Sequence, residues 1–368
     1  MSSKTAAPSC MMLIDLLPDA AVHNLGTIAY PFLMGLSRLI GWRACWCVLG
    51  VRYAPDLLYT LTPRDLRLLL VEVRRRKPRV VVLNQHLPKK QLSDISAAVP
   101  GARLVRWTLG EDLQYLADHV RRRIPEARGP VLEDPRLLDR IQPIYRRKIL
   151  NRAPWALNPL IEVMGGSRCS YYAPVAGNPF YRRLQLPEAV MGCSFCSRPD
   201  PKSSHWTIQG SLDFAVKQIA AVCRQRPAKG AEKRLNLVGF ELWKRFEELV
   251  LALVQRGVRG VELDFMLRLD ELLGGRGAIE RCLPLLAQNG IALRINGLGV
   301  ENFSPEENMR LHKGITAEQV HEATSFMLET HARRPEHFRL PFGGLGMILF
   351  TPWTRLEDLR INLDNIER

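Results

Sequence analysis

Short apolar runs alternate with segments of helical periodicity along the first third of the chain. Runs of four to eight apolar residues are typical of buried strands, and apolar residues every three or four positions indicate a helix face. The predicted strands are Met11 to Leu17, Ala44 to Val51, Val80 to Leu83 and Ala102 to Trp107. The predicted helices are Leu25 to Ile40, a helix capped by Thr62 that ends before Pro78, and Lys90 to Val99. Strands and helices in series imply right-handed crossovers, so residues 1–130 are predicted to form a doubly wound domain around a parallel sheet.

The second half of the chain repeats the alternation. The predicted strands are Ala189 to Met191, Leu235 to Val238, Gly260 to Phe265, Ala292 to Ile295 and Leu345 to Phe350. The predicted helices are Ser211 to Arg224, Phe246 to Gln255, Ile279 to Gln288 and Ala317 to His331. Strand–helix units without return strands favour a partial (β/α)6 barrel over residues 169–368, with its active site at the carboxyl ends of the strands. Residues 131–168 are predicted to be a basic linker, with a short helix around Leu137 to Leu150.

The composition is that of an ordinary globular protein. Of the 368 residues, 46% are hydrophobic and 24% are charged, which argues against disordered and collagen-like chains. The most apolar long stretch, Leu25 to Val51, is interrupted by Arg38 and Arg43, so no membrane span is predicted. The first eight residues are small and polar and do not resemble a secretory signal. The expected location is therefore the cytoplasm.

The chain is strongly basic, with a formal net charge of +15. The excess is densest between Arg103 and Arg152, where Arg121 to Arg123 and Arg146 to Lys148 form two short runs. A positive field attracts nucleic acid, anionic cofactors or acidic substrates. Runs of this length are more often solvated helix faces, and that is the interpretation favoured here.

Of the eight cysteines, only Cys193 and Cys196 have metal-ligand spacing. Cys45 and Cys47 are predicted to pack in a strand, on opposite faces. A lone CxxC pair is ambiguous, because it suits half a zinc site, a redox pair or two iron–sulfur ligands. A second CxxC or a nearby histidine pair would favour zinc, and neither follows.

Several motifs together resemble the radical S-adenosylmethionine enzymes. The segment Met191 to Cys196 reads Met-Gly-Cys-Ser-Phe-Cys, which is similar to the end of that family's CxxxCxxC motif. The segments Gly299 to Ser304 and Arg310 to Ile315 are similar to its "G-[VL]-E-S-x-S … NKG" stretch after the fourth strand. Ile348 to Leu359 resembles its later strand and turn. The resemblance covers roughly residues 187–368.

The resemblance implies a [4Fe–4S] cluster that binds S-adenosylmethionine, with Cys193 and Cys196 as two of its ligands. Phe195 matches the aromatic residue that precedes the last cysteine. The first family cysteine falls on Ala189, so this chain departs from the pattern at that position. Cys169 is the candidate third ligand. The alternatives are a group other than cysteine, or a site with only two thiolates.

The same resemblance suggests four further cofactor contacts. Glu301 corresponds to a polar residue near the methionyl or ribose part of the cofactor. Glu241 corresponds to the glutamate of a degenerate Gly-Gly-Glu turn, which binds the amino group of the cofactor in that family. Arg268 could pair with a carboxylate in two hydrogen bonds, although an ion pair with Asp270 or Glu271 is an alternative. Asn296 ends the fourth predicted strand and could bind a ribose hydroxyl.

The amino-terminal Rossmann-like domain resembles the cobalamin-binding domains that many radical S-adenosylmethionine enzymes carry. The resemblance lies in the turn after the first strand, where Asn24-Leu25-Gly26 precedes a helix. The histidine motif DxHxxG is absent, because three residues rather than one separate Asp19 from His23. Asn24 and Gly26 are therefore expected to bind cobalamin without a histidine ligand, or the domain binds none.

The predicted function is that of a radical S-adenosylmethionine enzyme. It would generate a 5′-deoxyadenosyl radical, or transfer a methyl group from cobalamin, on a small-molecule or peptide substrate. It would need an electron donor as a partner. Two alternatives stay open: an inactive relative that acts as a binding protein, because Ala189 removes one cluster ligand, or a basic nucleic-acid-binding protein with a zinc site.

Overall fold

The computed structural model describes most of the chain. The described residues are 9–18, 29–53, 59–85, 87–107, 116–127, 130–134, 136–151, 161–165, 171, 173–187, 190–196, 208–224, 233–238, 240–341 and 345–367. The chain divides into two compact units. The first unit comprises Met1–Val163 with Lys217–Arg234, and the second comprises Met164–Val216 with Leu235–Arg368.

The first sheet has six strands among the described residues: β1 Cys10–Pro18, β2 Arg43–Tyr53, β3 Tyr59–Thr60, β4 Val80–Leu83, β5 Arg103–Arg106 and β6 Lys148–Ile149. Their order is β3-β2-β1-β4-β5, with β6 beside β2. The pairs β1–β2, β1–β4, β4–β5 and β2–β6 are parallel, and only β3 runs antiparallel to its neighbour. The central strand is buried on both faces, which is why it reads as a continuous apolar run.

The described part of this region contains six α-helices in chain order: α1 Tyr30–Leu39, α2 Pro63–Arg76, α3 Lys89–Ala98, α4 Leu116–Arg123, α5 Leu137–Arg140 and α6 Ile208–Arg224. Helix α2 begins as predicted, because the Thr62 hydroxyl accepts a hydrogen bond from the Asp65 amide and Pro63 occupies the first helical position. Its apolar stripe, with Leu69 and Val73, packs on the sheet together with Met12 and Ile14.

The prediction that Cys45 and Cys47 point to opposite faces is wrong. Both side chains pack into the same cluster, with Met12 and Ile14 of the neighbouring strand. Side chains alternate with a period of two along a strand, so residues two apart share a face. Trp46, between them, points to the other face, where its ring makes an edge contact with Tyr30.

The segment predicted as a linker contributes to both sheets. The helix expected around Leu137 to Leu150 stops at Arg140, and Lys148–Ile149 then pairs with β2. Ile161–Met164 forms β7, the edge strand of the second sheet. Short strands at sheet edges carry little periodicity, so the sequence pattern did not reveal them. The predicted domain boundaries at 130 and 168 stay predictions.

The second sheet also has six strands among the described residues: β7, β8 Lys233–Val238, β9 Val261–Arg268, β10 Ala292–Glu301, β11 Phe338–Arg339 and β12 Gly346–Met347. Their order is β11-β10-β9-β8-β7, with β12 beside the end of β10. Strand β10 runs parallel to β9, β11 and β12, and its register shifts between Ile295 and Gly297.

Within residues 240–341 and 345–367, seven α-helices accompany this sheet: α7 Phe240–Lys244, α8 Phe246–Gln255, α9 Leu269–Gly274, α10 Arg276–Gln288, α11 Pro305–Arg310, α12 Ala317–Arg333 and α13 Leu356–Ile366. The strand predicted at Ala189 to Met191 does not join the sheet. Met191 forms an isolated antiparallel bridge with Pro174, and residue 189 lies outside the described part. The α/β class with two largely parallel sheets is confirmed, and the closure of a six-unit barrel stays a prediction. None of the described helices combines the length and apolar character that a membrane crossing needs.

Candidate functional site

The CxxC segment forms a tight turn that is bonded to the loop after α11. The Cys196 amide donates to the Cys193 carbonyl at 3.1 Å. The Ser194 amide donates to the Leu311 carbonyl at 3.1 Å, and its hydroxyl donates to the Arg310 carbonyl at 2.9 Å. Gly192 precedes the turn with φ +84°, a backbone conformation that residues other than glycine rarely adopt. Local geometry and this loop together hold both cysteines in place.

Both cysteines line one cavity of about 280 Å³. Its wall includes the carboxyl ends of β9 and β10, with Met266, Arg268, Gly299 and Glu301, and Lys313 from the loop beyond α11. Ligand sites of parallel sheets lie at the carboxyl ends of the strands, where loops converge. The predicted residues Cys193, Cys196, Phe195, Arg268 and Glu301 therefore share one cavity.

Arg268 connects β9 to the cysteine turn. Its Nη1 donates to the Cys193 sulfur at 3.6 Å, and its guanidinium makes two hydrogen bonds with Asp270, at 2.9 and 3.2 Å. A further hydrogen bond joins Nη2 to the Lys313 carbonyl at 2.9 Å. The ring of Tyr171 stacks 4.0 Å from the guanidinium carbon. The ion pair with Asp270, one of the two alternatives for this residue, is thus present, and the cation also faces the thiol.

Glu301 and Lys313 form an ion pair within the cavity. The Lys313 ammonium donates to Glu301 Oε1 at 2.8 Å and lies 5.8 Å from the centre of the Phe195 ring. Glu301 has φ +63°, an uncommon conformation for a residue other than glycine. A Cβ atom at Gly299 would lie 2.6 Å from the Lys313 nitrogen, so glycine leaves room for the pair. The sequence motif contained Lys313 but did not suggest this role.

A short segment before the CxxC turn runs antiparallel to it. The Val175 amide donates to the Val190 carbonyl at 3.0 Å, and the Gly192 amide donates to the Ala173 carbonyl at 2.9 Å. These bonds flank the bridge between Pro174 and Met191. The chain just before residue 174 therefore lies beside the cysteine turn. Cys169 and Ala189 are outside the described residues, so the third-ligand prediction stays a prediction.

His312 anchors the other side of this segment. It has φ +49°, and its ring bonds to Asn178 Nδ2 at 2.9 Å and to the Ala173 carbonyl at 3.3 Å. Its ring centre lies 5.7 Å from that of Tyr171. The loop that carries Lys313 is thus bonded to both chain segments around the cysteine turn. Pattern reasoning did not identify His312 or Tyr171, because neither lies in a periodic element.

The remaining predicted contacts are described only in part. Asn296 is buried on β10, at the register shift, and does not line the cavity. The backbone of Glu241 lies in α7, but its side chain is outside the described part. Phe195 is 45% exposed, so one face of its ring is open to solvent.

A buried charged cluster spans the amino-terminal halves of β9 and β10. Arg294 bonds to both carboxylate oxygens of Glu262, at 2.9 and 3.0 Å, and lies 3.6 Å from Asp264. Arg339 of β11 also pairs with Glu262. Burial would raise the pKa of Glu262, but the hydrogen bonds and charge of Arg294, with Arg339, lower it to about 2. Sequence reasoning missed this cluster, because the partners lie on three strands.

The first unit contains a second buried polar group, near the end of β1. Asp15 accepts hydrogen bonds from Asn84 Nδ2 at 2.7 Å and from Trp46 Nε1 at 3.2 Å. Burial, and then the charge of Asp15, raises the pKa of Glu162 to about 8. Burial lowers the pKa of Arg147 to about 10. The predicted cobalamin residues Asn24 and Gly26 lie outside the described residues, so they are not tested.

No group of three or more His, Cys, Asp or Glu side chains within the described ranges is arranged to hold a metal ion. A metal group held by Cys193 and Cys196 would need a further ligand from outside the described residues. The cavity offers two thiols, the cations of Arg268 and Lys313, and the carboxylate of Glu301, which is paired with Lys313. Such a site suits a thiolate-bound metal group beside a polar ligand.

Comparison with protein-family models finds no match, and comparison with curated proteins finds none either. Among solved structures, the chain resembles OxsB, a cobalamin-dependent S-adenosylmethionine radical enzyme. The TM-score is 0.53 at 13% identity, covering 98% of this chain and 52% of OxsB. A GTP-binding protein from the archaeon Sulfolobus solfataricus matches at 10% identity with a TM-score of only 0.19, covering 86% of this chain and 99% of that one. This chain thus spans about half the length of OxsB and is similar to it in fold.

Proposed function

We propose that this chain is a radical S-adenosylmethionine enzyme. The observation that carries the proposal is that Cys193 and Cys196 line one cavity with Arg268, Glu301 and Lys313, at the carboxyl ends of two parallel strands. The likeness in fold to a radical S-adenosylmethionine enzyme supports it. The fold by itself does not assign the activity, because one fold hosts many functions.

The cavity suits an iron–sulfur cluster, because thiolates are the usual ligands of such clusters. Cys193 and Cys196 would supply two of them, and Cys169 is proposed as the third. The antiparallel bridge between Pro174 and Met191 supports this choice. The bridge, with the hydrogen bond from the Gly192 amide to the Ala173 carbonyl, holds residues 173 and 174 beside the CxxC turn, four and five positions from residue 169. Tyr171, two residues from Cys169, already contacts Arg268.

When bound, a [4Fe–4S] cluster with S-adenosylmethionine supplies a 5′-deoxyadenosyl radical, given an electron from a donor partner. The chain's own residues prepare the site for this chemistry. Arg268, 4% exposed and anchored by Asp270, would offset the negative charge of the Cys193 thiolate. Phe195 would cover one side of the cavity and limit the access of water.

The Glu301–Lys313 pair would bind the polar part of the cofactor. The Lys313 ammonium and the Glu301 carboxylate are 2.8 Å apart, and Gly299, which has no side chain, leaves room for this contact. An ion pair that already exists needs little reorganisation when a zwitterionic ligand exchanges with it. Asn296 and Glu241 are proposed as further cofactor contacts on the same unit.

Cobalamin is proposed as a second cofactor, bound through Asn24 and Gly26 of the first unit. The parallel sheet β2-β1-β4-β5 supports this, because ligands of doubly wound sheets bind beyond the carboxyl ends of the strands. The substrate, a small molecule or a peptide, is not identified by any residue of the site.

Anaerobic reconstitution with ferrous iron and sulfide tests the proposal. We expect the wild-type protein to bind iron and sulfide and to cleave S-adenosylmethionine after reduction. Cys193→Ala and Cys196→Ala should both abolish iron loading. Cys282→Ala is the matched control, because Cys282 is a buried helix residue outside the cavity. Its variant should load iron like the wild type.

The third ligand is tested by two further variants. Cys169→Ala should lose iron if Cys169 is a ligand, and Ala189→Cys should then restore loading by rebuilding the CxxxCxxC spacing. The proposal would be overturned if neither the wild type nor Ala189→Cys takes up iron. In that case bound zinc would favour a zinc protein that binds nucleic acid, and the absence of any metal would favour an inactive relative that binds a partner.

A further inference from the structure

The amino-terminal edge of the first sheet carries a row of arginines. Arg43 opens β2, Arg79 directly precedes β4 and Arg103 opens β5. Backbone bonds align them: the Arg79 amide donates to the Cys10 carbonyl at 2.8 Å, and the Arg103 amide donates to the Arg79 carbonyl at 2.8 Å. Neighbouring strands lie about 4.8 Å apart, so Arg43 and Arg79, which are level with Cys10 in the register, are roughly 10 Å apart on one face. Arg103 is level with Val80 and therefore points to the opposite face. All three side chains are exposed.

The last turn of α2 reaches the same edge. It ends in Arg74, Arg75 and Arg76, and Lys77 follows with φ +46°. Arg75 and Arg76 are bonded to Glu72, which neutralises part of their charge. Arg74 and Lys77 are exposed and add to the row. The negative end of the helix dipole offsets only about half a charge, so the edge keeps a strong positive field.

A cavity of about 420 Å³ lies at this edge, between the turns that precede β4 and β5. Arg74, Lys77 and Arg79 line it from one side, and residues 98–102 line it from the other. No Asp or Glu is among the described residues that line it. The acidic residue bonded to Arg103 is Glu126, at 2.8 Å, and it does not line the cavity. The cavity therefore concentrates cations without internal neutralisation.

From this arrangement we infer that the basic edge, defined by Arg43, Arg74, Lys77 and Arg79, binds the phosphate backbone of a nucleic acid. A row of cations matches a linear polyanion, and arginine pairs with phosphate through two hydrogen bonds. The cavity has no aromatic residue on which bases could stack, so binding follows charge rather than base sequence. This edge is opposite the one where ligands of doubly wound sheets bind, so the inference is independent of the proposed function.

The test uses the full chain and a labelled single-stranded RNA of about 20 nucleotides, a length that exceeds the row. Binding should weaken steeply with salt, because each phosphate contact releases counterions. The triple variant Arg74→Glu, Lys77→Glu, Arg79→Glu should weaken binding at least about tenfold and reduce the salt slope by about 2. Circular dichroism checks that the variant is folded.

The matched control reverses three exposed arginines of the second unit, Arg256, Arg259 and Arg334, with the same change in net charge. It should keep wild-type affinity within about twofold if binding is local to the basic edge. Equal losses in both triple variants would overturn the inference, as would the absence of RNA binding. Competition by polyglutamate at matched charge concentration, as strong as that by unlabelled RNA, would also overturn it and assign the edge to an acidic polypeptide.

Discussion

The guanidinium of Arg268 touches the sulfur of Cys193, with Nη1 and Sγ 3.6 Å apart. The two residues are 75 positions apart in the chain, one at the end of β9 and one in the CxxC turn. The same guanidinium binds Asp270 and the Lys313 carbonyl, so its position is fixed from three sides. A buried cation beside a thiol lowers the cost of forming the thiolate.

Replacing Arg268 should therefore affect both stability and metal loading. Arg268→Met removes the hydrogen bonds to Asp270 and Lys313, and we expect a loss of about 2–3 kcal/mol in unfolding free energy. Urea unfolding measures this, and iron content after reconstitution should also fall. Arg276→Met is the matched control, because its ion pair with Glu322 is exposed and worth less than about 1 kcal/mol. Equal losses in the two variants would contradict the expectation.

Gly299 should be coupled to Lys313. An alanine Cβ at position 299 would lie 2.6 Å from the Lys313 nitrogen and 2.8 Å from Glu301 Oε1. Gly299→Ala should cost about 1–2 kcal/mol by displacing the ion pair. The cost should shrink when Lys313→Ala is already present, which a double-mutant cycle measures.

The control for this substitution is Gly274→Ala at the end of α9, where an added Cβ meets nothing within 4 Å. It should be neutral or stabilise by up to about 1 kcal/mol. A cost for Gly299→Ala that is unchanged by Lys313→Ala would show that the ion pair is not what the methyl group displaces.

The stability contributed by Glu262 should disappear in acid. Its pKa is about 2 in the folded chain, below the ordinary value of 4.5, so its contribution is full above about pH 4.5. It is lost as the pH falls from 4.5 towards 2. Glu262→Gln removes the carboxylate that binds Arg294 through two hydrogen bonds, leaves it the more distant carboxylate of Asp264, and should cost about 3 kcal/mol at pH 7. Urea midpoints of the variant and the wild type should converge below pH 4, and a constant difference would contradict the assignment.

Glu162 should behave in the opposite way. The pKa of Glu162 is about 8 in the folded chain, raised from 4.5. Between pH 4.5 and pH 8 the folded chain therefore keeps a proton on Glu162 that the unfolded chain has released. This group therefore destabilises the fold progressively as the pH rises from 4.5 to 8. Glu162→Gln should be more stable than the wild type at pH 9, with a smaller advantage at pH 6. Thermal midpoints at the two values check this, and a pH-independent difference would count against it.

The charge pattern illustrates where sequence reasoning stops. The densest basic stretch, between Arg103 and Arg152, was predicted to form solvated helix faces. Much of it is used internally: Arg121 bonds to the Leu132 carbonyl, Arg123 to the Arg106 carbonyl, and Arg147 stacks over Trp46. At the basic edge, by contrast, Arg74, Lys77 and Arg79 line a cavity with no acidic residue among its described lining. Charge density is local in sequence, but neutralisation depends on partners brought together by the fold.

Elements with strong local sequence signals are predicted correctly from the amino-acid pattern alone. The capped helix α2 and the strand β4 lie where pattern and capping predicted them, because periodicity, proline and turn residues act within a few positions. The spacing of Cys193 and Cys196 likewise indicated a candidate ligand pair. The edge strands β6 and β7 did not, since they are short and depend on pairing with distant strands.

The residues that surround Cys193 and Cys196 are set by tertiary contacts, which the amino-acid pattern does not reveal. Arg268 reaches Cys193 because β9 ends beside the CxxC turn, and Lys313 reaches Glu301 because the loop after α11 folds back over β10. The bridge between Pro174 and Met191 is likewise a contact between segments that carry no periodic signal. Each of these relationships joins residues that are distant in the chain, and hydrophobic periodicity describes only how a segment meets the core, not which polar groups from other segments it will meet.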